Sequence, residues 1–503
     1  MSYLELLKFA SPEAIVTLTV LAVLAIGLAT RRNVVTATIA TEEIQANPRD
    51  GSSPTICSLV ALLGLIAAAC AVLLLPSPMT LFHGMLTITP LNSLFKVICI
   101  ALAFFAVILA SGPDAPSNYA EYVAIILLAT IGLMLLVGSE ELLVIFIGLE
   151  LTGLALYILT GFDKADIRSA EAALKYFLFG STASAFTLFG LSFIYGMTGT
   201  TGLAAIANRL SPVSGSPLLF AGIVMTLVGF AFKIAAAPFH VWAPDTYEGA
   251  PAPSAAFIAS GSKVAAFVVL GKIMLVAFAP AAGSAAWHGL VGGWTPVLAV
   301  LAALSILVGN LAALVQKNVR RLLAYSAVAH AGYTLLGIVA GGRDGFSATL
   351  FYTTVYAFTL VGAFGVVGLV RRQTGGDDLQ NFAALRTRST VLAWTMTIFM
   401  LSLAGLPPLA GFFGKFYLFS AAFRAGDNHG LLWLVAIALF GSFVSLYYYL
   451  MVLKAIFVDQ GADTAVMKLG LLQKASISLL GGFVLILGLI PAPLVARIAA
   501  ALS

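Results

Sequence analysis

Seven basic residues stand inside long apolar runs, Lys96, Lys175, Lys233, Lys263, Lys272, Lys415 and Lys454, and all seven are lysine although arginine is the commoner in the chain, 14 to 12. A guanidinium stays protonated at any accessible pH. An amine releases its proton readily when it loses its water, so of the two only lysine can give up and regain a proton inside a membrane. This choice of residue type points to proton handling. Lys233 and Lys263 sit well inside their runs, and Lys415 follows the Pro407-Pro408 pair in a long interrupted one. At roughly 2.5–3.5 kcal/mol each, three such residues would offset much of an ordinary stability margin if they did nothing. Lys96 lies near the start of its run and Lys454 near the end of its own, where a long stem carries its ammonium to the headgroups. Lys272 fits either reading.

One acid is similarly placed, Glu150 in LLVIFIGLELTGLALYIL; Glu140 and Glu141 stand at the mouth of that helix, where solvation suffices. A carboxylate at membrane depth needs a partner, and the lysines are the available ones. A Glu150/Lys233 pair would tighten the lysine's hold on its proton when closed and loosen it when open. His240 follows Pro238, and His330 lies within AYSAVAHAGYTLLG. Imidazole is a good relay between such sites, although a single histidine among small residues equally suits a hydrogen-bonded core position. His83, His288 and His429 are loop residues with no assigned role. No two histidines or acids share metal-ligand spacing on a helix, and neither GxxxxGK[ST] nor GxGxxG occurs, so no metal or nucleotide site is expected. Cys57, Cys70 and Cys99 contain no CxxC and are expected to pack against lipid or core.

The elements that must position these groups follow from composition. Of 503 residues, 61% are hydrophobic and 9% charged, far from a soluble enzyme. Apolar residues come in unbroken runs without period-two alternation, which excludes a transmembrane barrel and predicts an all-α polytopic membrane protein. Fourteen runs are predicted, at about 12–30, 57–76, 93–111, 120–138, 141–161, 173–196, 217–240, 253–280, 295–315, 322–341, 346–370, 390–421, 430–457 and 472–500. The first has no cleavage site after it and reads as a retained helix. The stretch from Arg31 to Pro54 is too short for a soluble domain. Of the 19 Lys and Arg outside the runs, 14 follow odd-numbered helices and 5 lie on the even side. The positive-inside rule then places odd loops in the cytoplasm and both termini in the periplasm.

Two segments share a G-F-x-x-K pattern, Gly229 to Lys233 and Gly411 to Lys415, each close to proline. They belong to the seventh and twelfth helices, and an offset of five reverses direction through the membrane. The expectation is an inverted-topology repeat with broken helices, dividing the chain into residues 1–111 (three helices), 120–280 (helices four to eight), 295–457 (helices nine to thirteen) and 472–503 (helix fourteen).

The segment KIAAAPFHVWAPDTYEGAPAPSAAFIASGSKVAAF from Lys233 to Phe267 closely resembles the antiporter-like membrane subunits of the proton-pumping NADH:quinone oxidoreductase, respiratory complex I. QKNVRRLLAYSAVAHAGY from Gln316 and LAGLPPLAGFFGKFYLF from Leu403 resemble further segments of that family, and the likeness runs over nearly the whole chain. Tyr-Glu-Gly-Ala-Pro at 247–251 and lysine at 415 look like its N type. The wider family includes cation/proton antiporter and membrane-bound hydrogenase subunits, which supply the alternative reading. The resemblance implies that Glu150 and Lys233 form the charge pair of a first half-channel. Lys263 would relay toward the centre and Lys415 would carry the proton in the second half-channel, with Lys175, His240 and His330 at other polar-axis positions. It implies no cofactor in this chain: flavin, iron–sulfur clusters, NADH and quinone would belong to partner subunits of the membrane arm and the peripheral redox arm. It also implies residence in a bacterial inner membrane.

Overall fold

The computed structural model describes residues 8–41, 52–112, 116, 118–210, 215–426, 429–461, 465–467 and 469–502. Residues 42–51 of the first polar stretch, with Arg49, and Lys468 lie outside them. Nineteen α-helices follow one another among the described residues. In chain order they are α1 (Ser11–Thr41), α2 (Ser52–Leu74), α3 (Pro90–Ala110), α4 (Tyr119–Gly138), α5 (Leu142–Thr160), α6 (Ile167–Thr198), α7 (Leu203–Leu210), α8 (Pro217–Lys233), α9 (Trp242–Gly249) and α10 (Ala252–Lys272). There follow α11 (Trp294–Leu314), α12 (Val319–Ala340), α13 (Gly342–Thr374), α14 (Leu385–Arg388), α15 (Thr390–Ala404), α16 (Ala410–Arg424), α17 (Leu432–Phe457), α18 (Leu471–Leu489) and α19 (Ala492–Ala501). Two short hairpins complete the fold: β1 (Met79–Leu81) with β2 (Leu86–Ile88), and β3 (Ser284–Ala286) with β4 (Gly289–Val291).

Among the described residues, twelve helices are long and apolar enough to cross a membrane. The pairs α8/α9 and α15/α16 are two more crossings, each interrupted midway, which makes the expected fourteen. The final run differs from expectation. Instead of one helix over 472–500, α18 stops at Leu489 and α19 starts beyond Pro491, because proline's ring and missing N–H end the helix ahead of it.

Loops of one parity meet each other. After odd-numbered crossings, Asn318 bridges Asp378, Arg371 approaches Asp166, and the Ala384 N–H donates to Asp459 O. After even-numbered crossings, Leu86 bridges Ser139, Glu141 bridges Gly202, and the Trp433 indole donates to Ala285 O. Arg343 reaches Ala499 O near the end of the chain, and Lys96 reaches Glu13 near its start. The described chain therefore begins and ends at the same face, joined by the fourteen crossings.

Helix ends follow local chemistry. Thr89 caps α3 by accepting from the Asn92 N–H, with Pro90 in the first turn. Glu141 caps α5 through the Val144 N–H at 2.8 Å, and Asn318 caps α12 through the N–H groups of Arg320 and Arg321. The two interruptions are also satisfied, as they must be where no water is available. At the first, the Trp242 indole donates to Phe232 O at 3.0 Å and the Ala237 N–H donates to Ser305 Oγ at 2.8 Å. At the second, Gly405 (φ +85°) turns the chain out of α15 and the Gly411 N–H donates to Ser402 Oγ at 3.2 Å.

The interior of the molecule is α10, α12 and α13, buried on all sides. Helices α1, α2, α6 and α18 leave broad apolar faces outward, where lipid is as suitable a neighbour as protein.

Candidate functional site

Three of the singled-out lysines lie in or beside the central helices. Lys233 is the last residue of α8, where the first interruption begins. It is buried, and with Glu150 it lines a cavity of about 20 Å³ between α5, α6 and α8, room for a single water. Glu150 is half-buried on α5 and accepts from the Ser184 hydroxyl on α6. The expected Glu150/Lys233 pair is thus brought to one cavity without closing: no ion pair within 4.0 Å joins them. Tyr157 and Thr187 complete the polar lining. Glycine keeps the space open, since a methyl on Gly180 would collide with the Tyr157 hydroxyl.

Lys263, 1% exposed on α10, donates to Ala327 O on α12 at 2.8 Å and lies 5.8 Å from the ring centre of Tyr356 on α13. His330, one turn further along α12, is equally enclosed; its Nδ1 meets the Tyr352 hydroxyl at 2.5 Å and its Nε2 the Tyr449 hydroxyl at 2.9 Å. Lys415 stands in the second turn of α16, beyond the second interruption. It donates back to Ala404 O, the last carbonyl of α15, at 2.9 Å and to Ser442 Oγ on α17 at 3.0 Å. Its ammonium also faces Tyr333 at 5.1 Å from the ring centre, and Tyr333 accepts from Asn310 Nδ2 at 2.9 Å. Lys263, His330 and Lys415 therefore share one buried polar core, in which an amine can exchange a proton with carbonyl, hydroxyl and imidazole neighbours.

The remaining lysines divide differently from expectation. Lys96 does not reach for the surface. It is buried and forms an ion pair with Glu13, in the first turn of α1, at 2.5 Å. Lys272 is buried too, donating to Val137 O at 3.0 Å and to Asn92, with Glu140 at 4.0 Å. Lys454 is exposed near the end of α17, 3.7 Å from Asp459, as its position in the run suggested. Lys175 is not buried: its side chain is 39% exposed and pairs with Glu171 at 2.6 Å and Asp245 at 2.7 Å. From there an ionic network runs through Arg321 to Glu248 at 2.8 Å. His240 is half-buried beside Tyr325, with Nδ1 lacking a partner, and joins neither group.

Sequence reasoning missed two features. The buried tyrosines Tyr333, Tyr352, Tyr356, Tyr448 and Tyr449 surround the His330–Lys415 region; their only sequence signal is the i, i+4 spacing of Tyr352 and Tyr356. Arg320 reads as a loop residue yet is 2% exposed, paired with Asp377 at 3.2 Å and donating to Ala250 O at 2.7 Å.

Residues 139–445, more than half of the chain, match the family described as NADH:quinone oxidoreductase/Mrp antiporter, transmembrane. NADH-quinone oxidoreductase subunit N 2 of Acidobacterium capsulatum is 42% identical over 97% of this chain and 98% of its own length. A chain of respiratory complex I from Thermus thermophilus with bound aureothin superposes with a TM-score of 0.78 at 32% identity, covering 97% of this chain and 99% of that one. A chain of the Mrp complex from Dietzia sp. shares the fold, with a TM-score of 0.79 at 20% identity over 98% and 97% of the two chains. The extent of these matches, on a framework that gathers lysines and a histidine around broken helices, places the chain in the NADH-quinone oxidoreductase subunit N family.

Proposed function

We propose that this chain is a proton-translocating membrane-arm subunit of an NADH:quinone oxidoreductase, working through Glu150, Lys233, Lys263 and Lys415, with His330 as a relay between the last two. The observation that carries this reading is the company the lysines keep. Lys96 and Lys175, which hold helices together, each sit on a carboxylate. Lys263 and Lys415 are held by carbonyl and hydroxyl oxygens alone, with no carboxylate within 4.0 Å among the described residues. An ammonium on neutral acceptors can lose its proton without leaving a buried carboxylate unpaired, which makes the neutral amine accessible. Glu150, across the small cavity from Lys233, supplies a charge whose approach or withdrawal would bias that lysine's proton.

In this reading Lys175 and His240 serve the face of the molecule rather than its axis. The units 120–280 and 295–457 act as two inverted halves, each with one broken helix, flanked by 1–111 and 472–503. The chain carries no redox cofactor; NADH, flavin, iron–sulfur clusters and quinone belong to a peripheral arm, and the neighbours in the membrane are other antiporter-like and small subunits. The cytoplasmic face of a bacterial inner membrane is the one bearing the odd loops.

The test is proton pumping by inside-out vesicles containing the assembled complex. Lys233→Ala or Glu150→Ala is expected to lower it about 100-fold or more, the lower end of what a positioned proton-transfer group contributes. Wild-type pumping in correctly assembled variants would sink the proposal, and NADH-independent sodium/proton exchange by the purified chain would favour an antiporter instead.

A further inference from the structure

We propose that Tyr352 and Tyr449 are the hydroxyl links that carry protons to and from His330, so that Ser326, Tyr449, His330 and Tyr352 form one hydrogen-bonded wire between the surroundings of Lys263 and those of Lys415. The inference rests on the proton route proposed above and names residues nothing there assigns. Both ring nitrogens of His330 are taken by tyrosine hydroxyls, on α13 and α17 respectively. The Tyr449 hydroxyl is bonded in turn to Ser326 Oγ at 2.5 Å. All four groups are buried. At one end, Ser326 precedes Ala327, whose carbonyl holds Lys263. At the other, the Tyr352 ring packs on Gly414, the residue before Lys415, where a methyl would stand 2.5 Å from its Cδ2.

Every member of this row both donates and accepts, as proton hopping requires. A neutral imidazole has one N–H and one bare nitrogen, so one tyrosine donates to the ring and the other accepts from it. A proton arriving at the Ser326 oxygen displaces that hydroxyl's own proton to the Tyr449 oxygen. The Tyr449 proton then bonds to Nε2, the Nδ1 proton passes to the Tyr352 oxygen, and the original Tyr352 proton leaves toward Lys415. One proton enters and one leaves, and the ring ends in its other tautomer. Rotation of the hydroxyls and tautomer exchange restore the starting polarity. A buried neutral imidazole needs a partner at each nitrogen whatever its role; what marks His330 is that both partners are hydroxyls able to donate and to accept, one of them leading on to a third.

The experiment compares Tyr449→Phe, Tyr352→Phe and site-specific 3-fluorotyrosine at both positions in the whole assembled complex in vesicles. Each Phe variant is expected to lower pumping about 100-fold. Fluorotyrosine keeps the ring's shape and makes its hydroxyl more acidic, so pumping is expected to persist with an altered rate and a shifted pH profile. Wild-type pumping in either assembled Phe variant overturns the wire. So does fluorotyrosine with wild-type rate and profile beside a Phe loss, since that result belongs to packing. If the Phe variants fail to assemble, the fluorotyrosine profiles decide alone. Lys263→Ala and Lys415→Ala run in parallel separate the two readings: if they pump normally the proton route itself fails, and if they abolish pumping while the tyrosine variants do not, only the wire fails.

Discussion

A carboxylate partner separates the structural lysines of this chain from those proposed to work. The Lys96–Glu13 pair is enclosed, with side chains 9% and 13% exposed, and removing one member leaves the other charge stranded. Lys96→Met is expected to destabilise by about 3–5 kcal/mol, whereas Lys96→Met with Glu13→Leu, which removes both charges, is expected to fall close to wild type. Thermal unfolding of the purified protein checks the pair, and equal losses in both variants would contradict it. Residue identity was legible in the sequence: lysine where arginine was excluded, and a solitary Glu150. Exposure was less so. Lys175 stands in an apolar run yet reaches the surface, and Lys96, expected at the headgroups, is buried on Glu13, because composition does not say which way a side chain faces near a helix end. The tyrosines were illegible because an aromatic in an apolar run reads as packing until a neighbour for its hydroxyl is known.

Among the elements, the broken helices decide most. Their prolines announced them, and the seventh and twelfth crossings are both interrupted as the sequence predicts. The shared G-F-x-x-K pattern, however, does not mark equivalent places. Gly229 to Lys233 closes the half-helix before its break, while Gly411 to Lys415 belongs to the half-helix after its own. The interruptions correspond as elements; the five-residue match between them is one of composition. Backbone satisfaction at the first break depends on a residue from another crossing, Ser305 of α11. Ser305→Ala should leave the Ala237 N–H without its acceptor, at a loss of about 1–3 kcal/mol. Hydrogen exchange reads this directly: the Ala237 amide is expected to exchange faster while the amides of α11 stay protected, and unchanged exchange at Ala237 would refute the assignment.

At the scale of the whole molecule, hydropathy gave fourteen crossings, because it is summed over many residues and tolerates local error; charge, summed in the same way, predicts their direction. Hydropathy could not give which helices are central, since α10, α12 and α13 are no more apolar than those facing outward. The predicted orientation is testable with single cysteines in a chain whose exposed Cys70 has been replaced by serine. Lys164→Cys and Arg209→Cys, both at exposed positions, are expected to react with a membrane-impermeant maleimide from opposite sides, Lys164→Cys from the cytoplasm. Reaction of both from one side would overturn the topology. The meeting of like-parity loops has a consequence for how such a chain can evolve. Arg371 with Asp166, Asn318 with Asp378, and Arg343 with Ala499 join segments separated by even numbers of crossings. Gain or loss of a single crossing between two partners would carry one of them to the other side of the bilayer and sever each tie that spans it, so between tied segments such a chain can lengthen or shorten only by pairs of crossings.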